Sequence, residues 1–151
     1  MGSVSLTGKD AIQLDDRNIS DLADGDSGAL TYPNDLAVAK SSKNGNVIYA
    51  FNESGRQCEL ALRVLIGSDD DKWLNSRLQE MKSDFSRFTL INGTFAKRVG
   101  DGQGNLNTVV YQCAGGVIKK QVEAKTNAEG DVEQSVGVWT ITFGNGDRSV
   151  Q

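Results

Sequence analysis

Apolar and polar residues alternate most cleanly between positions 57 and 66. Cys58, Leu60, Leu62, Val64 and Ile66 share one parity, while Glu59 and Arg63 hold the other. A period of two marks a strand with one buried face. Further strands are predicted at 3–7, 11–14, 29–32, 47–51, 87–98, 106–113, 117–125 and 132–143. Within 87–98 the apolar phase slips: Phe88 and Leu90 are even, Ile91 and Phe95 odd. Asn92-Gly93 lies at the slip, so a β-bulge is expected there.

One segment follows helical spacing instead. Leu74, Leu78, Met81 and Phe85 form a single apolar stripe over 69–85. Ser68 is the expected N-cap, with Asp71 three residues on completing a capping-box pattern. Asp69, Asp70 and Asp71 place negative charge at the positive end of the helix dipole. This account of the three carboxylates is preferred to a hard-metal site.

Glycine-rich clusters at 24–28, 43–46, 100–105 and 127–131 read as turns. Two of them shape specific expectations. The turn near 127–131 should join 117–125 to 132–143 as a long hairpin, with Lys125 opposite Asp131. Counting back puts Ile118 opposite Val138 and Val117 opposite Trp139. That register sorts one face to be mainly apolar. The other face then carries Lys119, Gln121, Glu123, Lys125, Asp131, Glu133 and Ser135. The stretch 33–46 reads as a long polar loop containing Lys40, Ser41, Ser42, Lys43, Asn44, Gly45 and Asn46. Long loops in compact domains are usually functional or disordered.

Many strands and one amphipathic helix predict an α+β fold, mostly β. The expected architecture is an antiparallel β-barrel or sandwich with one flanking amphipathic helix and a long β-hairpin. At 151 residues a single domain is expected.

Composition narrows the function classes. The formal net charge is -4, which disfavours gripping phosphates by counterion release. The chain has no histidine, and its two cysteines, Cys58 and Cys113, are far apart. His/Cys zinc patterns and histidine-activated nucleophiles are thereby excluded. No apolar run approaches the roughly 18 residues of a membrane span, and the N-terminus lacks the pattern of a signal peptide. Use or assembly in a cytoplasm, without membrane insertion, is expected.

The remaining candidates have ordinary explanations. Gly100-Asp101-Gly102-Gln103-Gly104 precedes a predicted strand, so a hairpin loop is preferred to a phosphate cradle. Asp21, Asp24 and Asp26 lack calcium-loop spacing. Trp73 and Trp139 are expected in core or interface packing. Both cysteines are expected to be buried small hydrophobes, with a disulfide the lesser alternative. No catalytic constellation, cofactor site or metal site emerges, and the chain is not expected to be an enzyme.

Four stretches carry a resemblance. The first is Leu22-Ala23-Asp24-Gly25-Asp26 leading to Tyr32-Pro33-Asn34-Asp35. The second is Lys43-Asn44-Gly45-Asn46-Val47-Ile48-Tyr49-Ala50-Phe51-Asn52-Glu53-Ser54-Gly55-Arg56-Gln57. The third is Gly67-Ser68-Asp69-Asp70-Asp71-Lys72-Trp73-Leu74-Asn75, and the fourth is Glu129-Gly130-Asp131-Val132-Glu133-Gln134-Ser135-Val136. In these scattered identities and in element order, the chain resembles bacteriophage tail tube proteins of the short, single-domain type.

The resemblance implies a β-barrel or sandwich whose copies form hexameric rings by joining sheets edge to edge. Rings stack into a hollow tube in the virion tail, assembled in the host cytoplasm. A tape-measure protein and then DNA occupy the tube, and in contractile tails a sheath surrounds it. The sequence shows no extra C-terminal domain, which within that family is expected to go with contractile tails. By the resemblance, the 33–46 loop should reach a neighbouring ring, and the polar face from Lys119 to Ser135 should line the channel. The alternatives are a tube protein of a secretion system or other contractile injection apparatus, or a small β-barrel binding or hydrolase domain. The last would need an enclosed apolar pocket with convergent carboxylates.

Overall fold

A computed structural model of the chain describes residues 5–6, 10–23, 27–124, 126 and 135–150. Among the described residues ten strands run in the order β1 (Ser5–Leu6), β2 (Ala11–Leu14), β3 (Arg17–Ile19), β4 (Gly28–Thr31), β5 (Ala37–Ser41), β6 (Val47–Phe51), β7 (Cys58–Leu65), β8 (Ile91–Gly100), β9 (Leu106–Ile118) and β10 (Val136–Val150). The helix α1 (Asp69–Ser83) lies between β7 and β8. Eight strands form one antiparallel sheet in the order β3-β2-β8-β9-β10-β7-β4, with β1 pairing the far end of β8. β5 and β6 form a separate two-stranded sheet.

The large sheet curls into a half-barrel, as the mostly-β pattern predicts. Ile12 of β2 lies against Gly28 of β4, so the curl brings opposite sides of the sheet together. Strand β7 buries Cys58, Leu60, Leu62 and Val64 in strict alternation. Its neighbour β10 buries Trp139, Ile141 and Phe143 in the same phase. These residues share one core with Leu14, Ile91, Leu74 and Leu78. The last two are the middle of the helical stripe, and Met81 packs at its edge.

The helix begins as its sequence directs. Ser68 Oγ accepts from the Asp71 N–H at 3.3 Å and donates to the Leu65 carbonyl at 2.7 Å. The Asp71 carboxylate accepts from the Gly67 N–H and from Trp139 Nε1, each at 3.0 Å. The helix stops at Ser83, and a short 3-10 turn, Phe85–Arg87, follows. Phe85 is consequently 63% exposed, outside the stripe that its spacing suggested. Ile66 is likewise exposed, because the chain turns before it.

The phase slip near Asn92 is a register shift between Ile91 and Gly93 against β9, the expected bulge. The strand predicted at 87–98 starts at Ile91 instead, after the 3-10 turn. The strand predicted at 106–113 does not stop there: β9 continues through Gly115-Gly116 to Ile118. After it, residues 119–124 leave regular structure, so the predicted strand 117–125 is absent among the described residues.

The predicted hairpin register is also overturned. Ile118 pairs with Ile141 and Val117 with Thr142, three residues away from the expected partners. An odd shift exchanges the faces. Val138 is therefore exposed and Trp139 buried, the reverse of what that hairpin register implied, while Trp139 lies in the core as its residue type suggested. The cause is β7. It pairs with β10 from Val136 to Phe143, setting Trp139 opposite Leu62 and Ile141 opposite Leu60. A partner with alternating apolar residues from Val136 to Phe143 outweighs the short sorted pattern beyond Ile118.

Candidate assembly surface

The segment expected as an irregular loop is an arm. β5 and β6 pair over five positions, from Ala37 opposite Phe51 to Ser41 opposite Val47. Lys40 and Ser41 belong to β5, while Ser42, Lys43, Asn44, Gly45 and Asn46 form the tip. There the Ser42 N–H donates to the Asn46 carbonyl at 2.6 Å, and Gly45 takes φ +84°, a conformation open to glycine. The Val47–Phe51 strand was legible. Its partner was not, because Ala37, Ala39 and Lys40 carry little strand signal.

Every residue of both strands is exposed. Opposed residues share a face. Phe51, Tyr49 and Val47 lie on one face with Ala37 and Ala39, and Ile48, Val38 and Ala50 lie on the other. Tyr49 is 79% exposed, Ile48 64% and Phe51 57%. The arm thus presents apolar side chains on both faces.

Its base is fixed. The Asn52 N–H donates to the Leu36 carbonyl at 2.7 Å, and Asn34 Nδ2 donates to the Ser54 carbonyl at 3.2 Å. Buried Gly55 lies against the backbone of Asp35 and Leu36. Arg56 sits 5.8 Å from the Phe51 ring centre and 3.1 Å from the Glu53 carboxylate. Beside this base an open depression of about 500 Å³ is lined by Tyr32, Leu36, Phe51, Arg56 and Arg148.

A second feature lies next to it. β10 has strand partners on both sides only from Ile141 to Phe143; from Asn145 to Val150, among the described residues, it pairs with β9 alone. Among the described residues that half-strand has no second strand partner, and the 3-10 turn Glu53–Arg56 packs against β10.

The polar face expected from Lys119 to Ser135 is not assembled as drawn. Lys119 Nζ lies 2.6 Å from Glu59 Oε1, and Gln121 accepts from Lys82 Nζ at 3.3 Å. Glu123 and Ser135 are exposed, and the Ser135 carbonyl accepts from the Ile66 N–H at 2.9 Å. Lys125, Asp131 and Glu133 lie outside the described residues. The pairing that defined this face is replaced by the β7–β10 register.

Two of the three helix-start aspartates, Asp70 and Asp71, do more than complement the dipole. Asp70 is fully buried, and its carboxylate accepts from Arg17 and from two backbone N–H groups. Trp73 packs at the core edge, 5.9 Å from the Arg17 guanidinium. The Gly100–Asn105 loop is a hairpin connection, with Asp101 accepting from the N–H groups of Gln103 and Asn105.

Among the described residues no three His, Cys, Asp or Glu side chains are grouped to hold a metal ion. No helix among them is long and apolar enough to cross a membrane. Compared with known proteins, the chain matches no family model and shows no significant sequence similarity to a curated protein.

Proposed function

We propose that the chain is a self-assembling structural subunit of the phage tail-tube kind, whose copies close into six-membered rings that stack around a channel for DNA. The observation that carries this reading is the β5–β6 arm, apolar on both faces and exposed throughout. An isolated two-stranded hairpin is marginal in water. Contiguous exposed apolar surface marks an interaction site. An arm with two such faces suits insertion between two surfaces, not docking on one. A second copy of the chain meets that need, since repeated copies supply the same pair of surfaces at every position.

The β10 half-strand from Asn145 to Val150, paired among the described residues with β9 alone, supports the same reading. It can take a strand from a neighbour, and ring closure leaves no such edge exposed. The resemblance of the Lys43–Gln57 stretch to tail tube proteins falls on the arm itself. Sequence likeness and exposed apolar surface therefore meet on one element.

Negative-stain microscopy of the concentrated protein, alone and seeded with preformed tail tips, tests the proposal. Rings with six-fold symmetry or stacked tubes are expected in the seeded sample. A protein that stays monomeric under both conditions overturns it.

A further inference from the structure

Cys58 lies in β7 and Cys113 in β9, and β10 runs between those strands. β10 sets Phe143 opposite Cys58 on one side and Gly146 opposite Cys113 on the other. The two sulfur atoms are nevertheless in contact, 3.7 Å apart. Gly146 makes this contact possible. A Cβ on that residue would stand 2.5 Å from Cys58 Sγ. The Cys58 side chain therefore occupies space that any other residue at 146 would fill.

Both thiols are buried and free. Burial as a small hydrophobe is a sufficient account of one cysteine. It does not explain two sulfurs meeting across a strand through a gap left by a glycine. Burial also keeps both thiols protonated: it pushes Cys58 up, and with the neighbouring Cys58 it pushes Cys113 up to about 12. Such a pair reacts slowly. The two differ in access. Cys58 is sealed, while Cys113 lines an open polar depression with Thr94, Gln112 and Asn145.

We propose that Cys58 and Cys113 are a two-electron redox pair that closes to an intramolecular disulfide, tying β7 to β9 across β10, when a small peroxide reaches Cys113. The Cys113 sulfur attacks one peroxide oxygen and the O–O bond breaks. The departing oxygen takes the thiol proton and leaves as water, and Cys113 becomes a sulfenic acid. The Cys58 sulfur then attacks Cys113 Sγ. The S–S bond forms, the S–O bond breaks, and the hydroxyl leaves with the Cys58 proton as a second water. Two thiols lose two electrons, and one hydrogen peroxide becomes two waters. The tie joins residues 55 apart in sequence. It rests on this geometry alone and stands or falls separately from the assembly proposal.

The test treats the folded full-length chain with hydrogen peroxide at neutral pH. Thiols titrated after unfolding should fall from two to none, and a digest without reductant should contain the Cys58 and Cys113 peptides joined. Dithiothreitol should restore both thiols. Gly146→Ala should slow closure about tenfold or more, because its methyl group displaces Cys58 Sγ. In Cys113→Ser, Cys58 should stay reduced, since its partner is the point of entry. Disulfide-linked dimers, separately over-oxidised cysteines or persistence of both thiols overturns the proposal. So does oxidation of Cys58 in Cys113→Ser at the rate seen in the unsubstituted chain.

Discussion

Arg17 Nε donates to Asp70 Oδ1 at 2.8 Å, tying β3 to the first turn of α1. The other carboxylate oxygen accepts from the N–H groups of Ser20 and Asp21, each at 2.8 Å. Burial pushes the Asp70 pKa up, but the Asp21 and Ser20 N–H groups and the Arg17 guanidinium outweigh it and hold the carboxyl below its ordinary value. A depressed folded pKa stabilises the protein above the unfolded pKa of about 3.9. That contribution is lost as pH falls through the lower, folded value. Asp70→Asn keeps the shape and removes the charge, at an expected cost of about 2–4 kcal/mol in urea unfolding near neutral pH. The variant should also lose this part of the acid-induced destabilisation.

The helical stripe ends before Phe85. Leu78→Ala should cost about 2–5 kcal/mol, since the side chain is buried in the core. Phe85→Ala should change monomer stability by no more than about 0.5 kcal/mol. Equal losses in the two variants would show that the stripe runs on through Phe85.

The β10 register can be read by charge insertion. Val138 points outward and Ile141 into the core. Val138→Lys should leave the thermal midpoint within a few degrees, whereas Ile141→Lys should prevent folding or cost more than about 4 kcal/mol. The opposite ranking would restore the hairpin register drawn from sequence alone.

The arm should matter to assembly and not to the fold. Replacing Ile48 and Tyr49 with aspartate puts one charge on each of its faces. Unfolding of the monomer should shift by less than about 0.5 kcal/mol per substitution. Tubes or rings should vanish from seeded samples. Normal tubes from this double variant would detach the arm from assembly.

What the sequence determined by itself was local. The alternation from Cys58 to Val64, the bulge at Asn92-Gly93, the N-cap at Ser68 and the stripe through Leu74 and Leu78 depend on neighbours a few residues away, and each was legible. Tertiary structure decided where competing partners existed. Trp139 and Val138 could each have faced inward on pattern alone. Pairing with β7 chose Trp139, because a one-residue slip turns every side chain of a strand over. The arm escaped notice for a related reason. Ala37–Ser41 has little strand preference of its own and becomes a strand only because Val47–Phe51 folds back beside it. The closeness of Cys58 and Cys113 also follows from strand order, with Gly146 set between two residues 55 apart in the chain. Spacing along the sequence cannot express that juxtaposition, since it exists only once β10 separates β7 from β9.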